Sequence, residues 1–291
     1  MLKKNEPLAR YTSWRVGGPA DTFYRPDNLQ DLANFLKTLP QHEPVTWLGL
    51  GSNVLIRDGG IAGTTIYTQG RLVSLEMTDD TTVRAEAGVT CAKLAKFCSK
   101  NKLANGVFFA GIPGTVGGAL AMNAGAFGGV TWPVVTQVEM LNRDGDIIIR
   151  QPSEFEVAYR QVKCPVEDEW FVAGHFTFES GDEVKANADI KTLLKKRSNT
   201  QPIGELNCGS VFRNPPDDHA ARLIEACGLK GQRVGDAWVS EKHANFIING
   251  GAATAADIEK LIAQVQNEVY KHHNVQLVRE VHILGDNDGK N

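Results

Sequence analysis

In Asn207-Cys208-Gly209-Ser210-Val211-Phe212-Arg213-Asn214-Pro215 a cysteine and a serine stand on either side of one glycine, and each is a possible nucleophile. Ser210 lacks the Gly-x-Ser-x-Gly elbow and the histidine partner of an acyl-transfer serine. On residue type alone it reads as a turn residue beside Gly209. Nothing near Cys208 marks an activated thiol, and it reads as structural. Two glycine-rich turns are the next candidates. Gly49-Leu50-Gly51-Ser52-Asn53 has Val54 where the dinucleotide fingerprint needs a third glycine, and no helix opens there. Gly111-Ile112-Pro113-Gly114-Thr115-Val116-Gly117-Gly118 lacks the Gly-Lys-Ser/Thr ending of a phosphate loop. What survives is that backbone N–H groups of these turns could surround a pyrophosphate as an anion nest, with plain tight turns as the alternative. Arg160 carries a planar fork suited to a carboxylate, but a surface ion pair is the commoner use of such a residue. Glu280 reads from its pattern as a solvated glutamate.

The elements that must position these residues follow from periodicity. Leu32, Phe35, Leu36 and Leu39 predict a helix over 28–39, capped by Asn28 and stopped by Pro40. Strands are predicted at 45–50, 64–67 and 82–87, with a second apolar run at 54–56, and a helix from Thr90 to Ser99, with Cys91 and Cys98 filling its apolar face. The glycine-dense segment 106–129 cannot be the interior of a long helix or strand, and such a segment is shaped around something bound. Asp144-Gly145 predicts a hairpin between 135–141 and 147–150. A strand at 169–178 and a helix at 182–197 follow. The polar stretch 198–205 marks a boundary, after which a separate α+β unit is expected. Its parts are a short helix capped by Asp217 and ended by Gly228, a strand at 245–249, a helix opened by Thr254 and Asp257, and a strand at 275–284.

The whole chain sets limits. Its 291 residues favour two or three packed units over one small one. With 42% hydrophobic and 22% charged residues it has ordinary globular composition. A net charge of −3 with scattered lysines and arginines lacks the footprint of a nucleic-acid binder. The N-terminus has no apolar run of the signal-peptide kind, and no apolar stretch reaches the roughly 18 residues of a membrane helix. Five cysteines suggest reduced thiols and a cytoplasmic protein. No cysteine or histidine pair has zinc-ligand spacing, so no metal is expected.

Several of these pieces, taken in order, resemble the UDP-N-acetylenolpyruvoylglucosamine reductases. They are Tyr11-Thr12-Ser13-Trp14-Arg15-Val16-Gly17-Gly18-Pro19-Ala20-Asp21, the turns at 49–55 and 111–118, Met122-Asn123-Ala124-Gly125-Ala126, Gly209 to Pro215, Ser240-Glu241-Lys242-His243-Ala244-Asn245-Phe246 and Leu277 to Val281. The match covers nearly the whole chain. It implies an α+β fold whose FAD-binding half has two subdomains of the PCMH/vanillyl-alcohol-oxidase type, 1–67 and 68–198, followed by a C-terminal UDP-sugar domain, 199–291. It implies noncovalent FAD, held by Gly49, Gly51, Ser52, Asn53, Gly111, Pro113, Gly114, Thr115, Gly117 and Gly118, with Asn123 and Ala124 near the flavin, and NADPH as hydride donor. The likeness assigns Ser210 as proton donor and Arg160 and Glu280 as partners in catalysis, and puts Tyr159, Asn214, Lys242 and His243 at the substrate. The family's usual serine two residues after the arginine is absent here, since Gln161-Val162 follows Arg160, and Arg213 stands where lysine is common. The length fits the shorter subtype. A monomer acting on small molecules, with no nucleic-acid or membrane partner, is expected.

Overall fold

The computed structural model describes residues 1–287, and the chain gathers into two compact units. One comprises Met1–Leu2, Tyr24–Leu50 and Ile66–Arg197; the other comprises Lys3–Phe23, Gly51–Thr65 and the chain from Ser198 onward. The two units divide at Arg197/Ser198, and residues 1–67 contribute to both. The α-helices are α1 (Leu29–Thr38), α2 (Cys91–Lys100), α3 (Val116–Met122), α4 (Glu183–Thr200), α5 (Ala220–Ala226) and α6 (Ala255–His273).

The first unit is built on a five-stranded antiparallel sheet in the order Ile147–Arg150, Val135–Asn142, Glu169–Thr177, Thr82–Glu86, Leu75–Met77. Alternation along the strands sends Val138 and Met140 to one face and Leu141 to the other. The first face packs on α2 and α3 through Cys91, Leu94, Cys98, Val116 and Leu120. On the second, Leu141 and Val172 meet Leu32 and Leu36 of α1. Asn28 caps α1 as the periodicity predicts, accepting from the Asp31 N–H. Cys91 and Cys98 are core filler, and burial pushes both thiols up to about 12.

In the second unit a three-stranded antiparallel sheet, Arg233–Val234, Ala237–Val239 and Ile247–Asn249, packs with α5 and α6. Trp14 is fully buried in this core; its Nε1–H donates to Ile247 O at 2.7 Å, and Asn249 Nδ2 donates to Trp14 O at 2.8 Å. Val54–Ile56 pairs in parallel with His282–Leu284. These bonds explain why Lys3–Phe23 and Gly51–Thr65 belong with the C-terminal part: their backbone polar groups and the Trp14 ring find their partners there.

Two expectations about this unit need correction. Only His282–Leu284 of the predicted 275–284 strand is regular; upstream, Leu277 and Val281 turn inward and contact is reduced to an isolated bridge, Phe212 with Arg279. Asp217 does not cap α5, because its φ of +59° places it in the preceding turn; Asn214 Oδ1 accepts from the Ala220 N–H instead. Gly228, at φ +69°, ends α5 as expected.

The start of α6 shows the strongest local design. Thr254 and Asp257 form the reciprocal capping box, and Asp58 Oδ1 and Oδ2 accept from the N–H groups of Ala255 and Ala256 at 3.1 and 3.0 Å. Arg57 adds a bidentate pair with Glu259 at 2.9 and 2.7 Å. A carboxylate on two otherwise unpaired helix N–H groups also opposes the helix dipole. Asp58→Ala is therefore expected to lower unfolding stability by about 1–2 kcal/mol, with Asp58→Asn recovering part of it. Urea unfolding midpoints read this directly, and an unchanged midpoint for Asp58→Ala would refute the assignment.

Candidate active site

Ser210 lies between two bends, at Gly209 and Val211, on a segment outside regular strand that side-chain and main-chain bonds fasten. Asn207 Oδ1 accepts from the Gly209 N–H at 3.0 Å, and Gly209 itself has φ +79°, where a Cβ would meet nothing within 4 Å. Conformation, not space, therefore calls for glycine there. Beyond Ser210, the Val211 N–H donates to Asn245 O at 2.9 Å, and Val211 O accepts from the Glu280 N–H at 2.8 Å. The Arg213 N–H donates to Val278 O at 2.9 Å. The fold thus brings Ser210 and Glu280, 70 positions apart in the numbering, onto neighbouring backbone segments.

Glu280 is held from a second direction. Asn53 Nδ2 donates to Glu280 O at 2.9 Å, and Asn53 O accepts from the His282 N–H at 3.1 Å. Cys208 is buried, and its thiol is pushed well above its ordinary value, first by desolvation and then by the nearby Glu280 carboxylate. It is no thiolate, which agrees with its structural reading.

Arg160, in the first unit, occupies the turn between Glu156–Ala158 and Gln161–Lys163 with φ +55°, a conformation that favours glycine. Its guanidinium donates to Gly125 O at 2.9 Å and Asn123 O at 3.4 Å. Asn123 ends α3 in the left-handed region; its Nδ2 donates to Ala158 O at 3.2 Å, and its Oδ1 accepts from the Trp132 N–H at 3.1 Å. The neighbouring Ala124 O accepts from both the N–H and hydroxyl of Thr131. Tyr159 is half-exposed, with the Arg160 guanidinium 5.3 Å from its ring centre.

The first unit also contains a cavity of about 240 Å³ whose lining includes Gly49, Thr115, Gly117 and Gly118, the rings of Trp47, Trp170 and Phe171, and the polar Thr68 and Glu169. Four residues expected at FAD therefore share one largely apolar chamber, which suits an aromatic ring system. A Cβ at Gly118 would meet only Thr115 Oγ1, at 3.8 Å, so the backbone there is open to close approach. The residues present fit FAD in this respect. The anion-nest reading of the second turn is corrected in part: the N–H groups of Gly114, Val116 and Gly117 are already donated to Ile112, Val89 and Ala87 carbonyls. Gly111 serves packing, since a Cβ there would lie 2.7 Å from Ala126 Cβ and 2.9 Å from the Phe127 ring. Pro113 is exposed beside it. In the second unit, Gly51 at φ +68° has no room for a Cβ, which would overlap Tyr11 O, and Ser52 lies in the bend that follows.

Three expected substrate residues have protein partners. Asn214 caps α5, Lys242 Nζ donates to Ser198 O at 2.6 Å, and His243 Nδ1 accepts from the Asn245 N–H at 3.3 Å. The residue that motif reading left out of the site is Asn245 itself. A buried asparagine opening the apolar run Phe246-Ile247-Ile248 was its available signal, because such a side chain must find partners.

Desolvation holds the His243 imidazole below its ordinary value, so it is neutral at pH 7, with Nε2 bearing the proton when Nδ1 accepts. A depressed folded value means that its stabilisation is complete above the unfolded value of about 6.5 and is lost as pH falls through the folded one. The melting temperature is accordingly expected to fall as pH drops below about 6.5, and His243→Gln should shallow that drop. An NMR titration placing His243 at or above about 6.5 would contradict it.

The family profile for the UDP-N-acetylenolpyruvoylglucosamine reductase C-terminal domain matches residues 201–284, and one for an FAD binding domain matches 20–149. UDP-N-acetylenolpyruvoylglucosamine reductase of Coxiella burnetii is 60% identical over 97% of this chain and 95% of its own length. The enzymes so named from Alkalilimnicola ehrlichii and Legionella pneumophila are 59% and 58% identical over 98% and 97% of this chain, and over 95% and 92% of theirs. The crystal structure of the reductase from Thermus caldophilus is 28% identical, covers 98% of both chains and superposes with a TM-score of 0.83. Identity at this level over the full length, together with an FAD binding domain followed by that C-terminal domain, places the chain in the UDP-N-acetylenolpyruvoylglucosamine reductase family, an α+β family of FAD-binding oxidoreductases.

Proposed function

We propose that this protein reduces the enolpyruvyl double bond of UDP-N-acetylenolpyruvoylglucosamine with NADPH, through FAD, to give UDP-N-acetylmuramate for peptidoglycan, and that Ser210, Arg160 and Glu280 carry the protein's share of the chemistry. The observation that carries the residue assignment is the bond from the Glu280 N–H to Val211 O, which sets Ser210 beside Glu280 on a fixed backbone. The chemistry FAD supplies when bound is transfer of a hydride from NADPH to the methylene carbon. What the chain must add is a proton, a counter-charge and a place for the substrate.

Ser210 donates its hydroxyl proton to the carbon next to the carboxylate. A neutral hydroxyl is a weak acid, but the enediolate that develops is basic enough to take its proton. Arg160 balances that enediolate charge with its planar fork, and within its own unit the guanidinium is held by the Asn123 and Gly125 carbonyls. Glu280 assists the proton transfer or offsets the arginine. Tyr159, Asn214, Lys242 and His243 serve the UDP-sugar; for Lys242 this requires exchanging the Ser198 carbonyl for a phosphate oxygen, which a flexible ammonium does readily. Gly49, Gly51, Ser52, Asn53, Gly111, Pro113, Gly114, Thr115, Gly117, Gly118, Asn123 and Ala124 form the surroundings of FAD, Gly111 and Asn123 by shaping the backbone. On this reading the segments 1–67 and 68–198 hold FAD, 199–291 holds the UDP-sugar, and the enzyme works as a cytoplasmic monomer. Among the described residues no helix is long and apolar enough to cross a membrane.

The test separates the two half-reactions. Ser210→Ala is expected to leave reduction of FAD by NADPH nearly intact while slowing oxidation of the reduced enzyme by the enolpyruvyl sugar by about 10²- to 10⁴-fold or more. Equal slowing of both steps in stopped-flow absorbance would remove Ser210 from the role of acid.

A further inference from the structure

Asn245 is almost fully buried, and its side chain is committed to a single neighbour. Its Oδ1 accepts from the Phe212 N–H at 2.9 Å, and its Nδ2 donates to Phe212 O at 2.8 Å. Its own carbonyl accepts from the Val211 N–H at 2.9 Å. Asparagine 245 thus satisfies three backbone groups of the two residues that follow Ser210. On the opposite side of the same segment stand Glu280, through Val211 O, and Arg279, through its bridge to Phe212.

A carboxamide that pairs with both the N–H and the C=O of one residue imitates a neighbouring strand. It differs from a strand in one respect: it can pair only with that residue, because donor and acceptor sit on one planar group. A strand could slip along its partner, and a slip of one residue would reverse which way Ser210 points. Phe212 is itself buried, so its amide and carbonyl have no water to fall back on, and every alternative register leaves them unpaired.

We infer that Asn245 is the positioning residue for Ser210, its carboxamide fixing the register of the 210–212 segment against Glu280 and so the direction in which the Ser210 hydroxyl is presented. This rests on the role proposed above for Ser210. Asn245 acts through the backbone and touches no reacting atom.

Asn245→Asp tests it with little change of shape. The carboxylate keeps the acceptor for the Phe212 N–H but sets an oxygen against Phe212 O, whereas the protonated acid can donate there again. Burial raises a carboxyl's pKa, so the defect should be mild at acidic pH and grow as the group ionises. Using the FAD-loaded full chain, we expect the variant at about pH 8 to oxidise reduced FAD with the enolpyruvyl sugar about 10- to 100-fold more slowly than wild type, with its reduction by NADPH within about twofold. The deficit should shrink towards about pH 6. The double variant with Ser210→Ala should be no slower than Ser210→Ala alone, because both act on one step.

Equal loss in both half-reactions, an unaltered substrate step, or multiplicative losses in the double variant would each overturn the inference. If Ser210→Ala leaves the substrate step fast, the proton-donor reading fails instead, which separates the two failures. Should Asn245→Asp not fold, Asn245→Ser, which keeps a hydroxyl for one of the two bonds, is read by the same pair of half-reactions at one pH, and the same outcomes decide.

Discussion

The amide and carbonyl of Val211 point in opposite directions, and in the unit that includes the chain from Ser198 onward each has a fixed partner. The amide goes to Asn245, the carbonyl to the Glu280 amide. Everything proposed for Ser210 depends on this pair of bonds, because a hydroxyl is useful as an acid only if it is held in one place relative to the atom it protonates. The surrounding core explains why the bonds persist. Val211 and Phe212 are buried with Leu55, Leu223, Ile262 and Val265, and unfastening the segment would expose apolar surface and orphan backbone groups together.

The same economy governs Arg160. It stands at a turn position that ordinarily takes glycine, a conformation that costs of order 1–3 kcal/mol and survives only where neighbours over-determine it. Here the guanidinium is bound by carbonyls of Asn123 and Gly125 while the Asn123 side chain holds Ala158 O at the preceding strand end. Asparagines therefore recur as fasteners: Asn53 at Glu280, Asn123 at the Arg160 turn, Asn245 at Phe212, and Asn249 at Trp14. A carboxamide offers donor and acceptor on one short rigid group, which is what a backbone segment outside a regular sheet needs.

The glycines divide into kinds that a motif cannot separate. Gly51 and Gly209 are needed for positive φ, Gly111 for close packing against Ala126 and Phe127, and Gly118 leaves open space at the cavity wall. In the turn at 111–118 the N–H groups of Gly114, Val116 and Gly117 are spent inside the protein. A backbone donor already hydrogen-bonded to a carbonyl has little left for a phosphate.

Local chemistry determined much of this protein from the sequence alone. The amphipathic period of α1, α2 and α6, the Asn28 cap and the Thr254–Asp257 capping box depend on residues three or four apart, the Asp144-Gly145 hairpin on two adjacent ones, and the structure has them where the pattern puts them. The ordered motifs likewise sufficed for the family and for FAD. Only the tertiary structure decided which distant residues meet. Val54–Ile56 lies beside His282–Leu284, Asn214 rather than Asp217 takes the first N–H of α5, residues 275–281 leave the regular strand, and Asn245 rather than another strand flanks Phe212. The reason is that hydrophobic period fixes which face is buried, whereas register and backbone satisfaction depend on what the rest of the chain brings alongside.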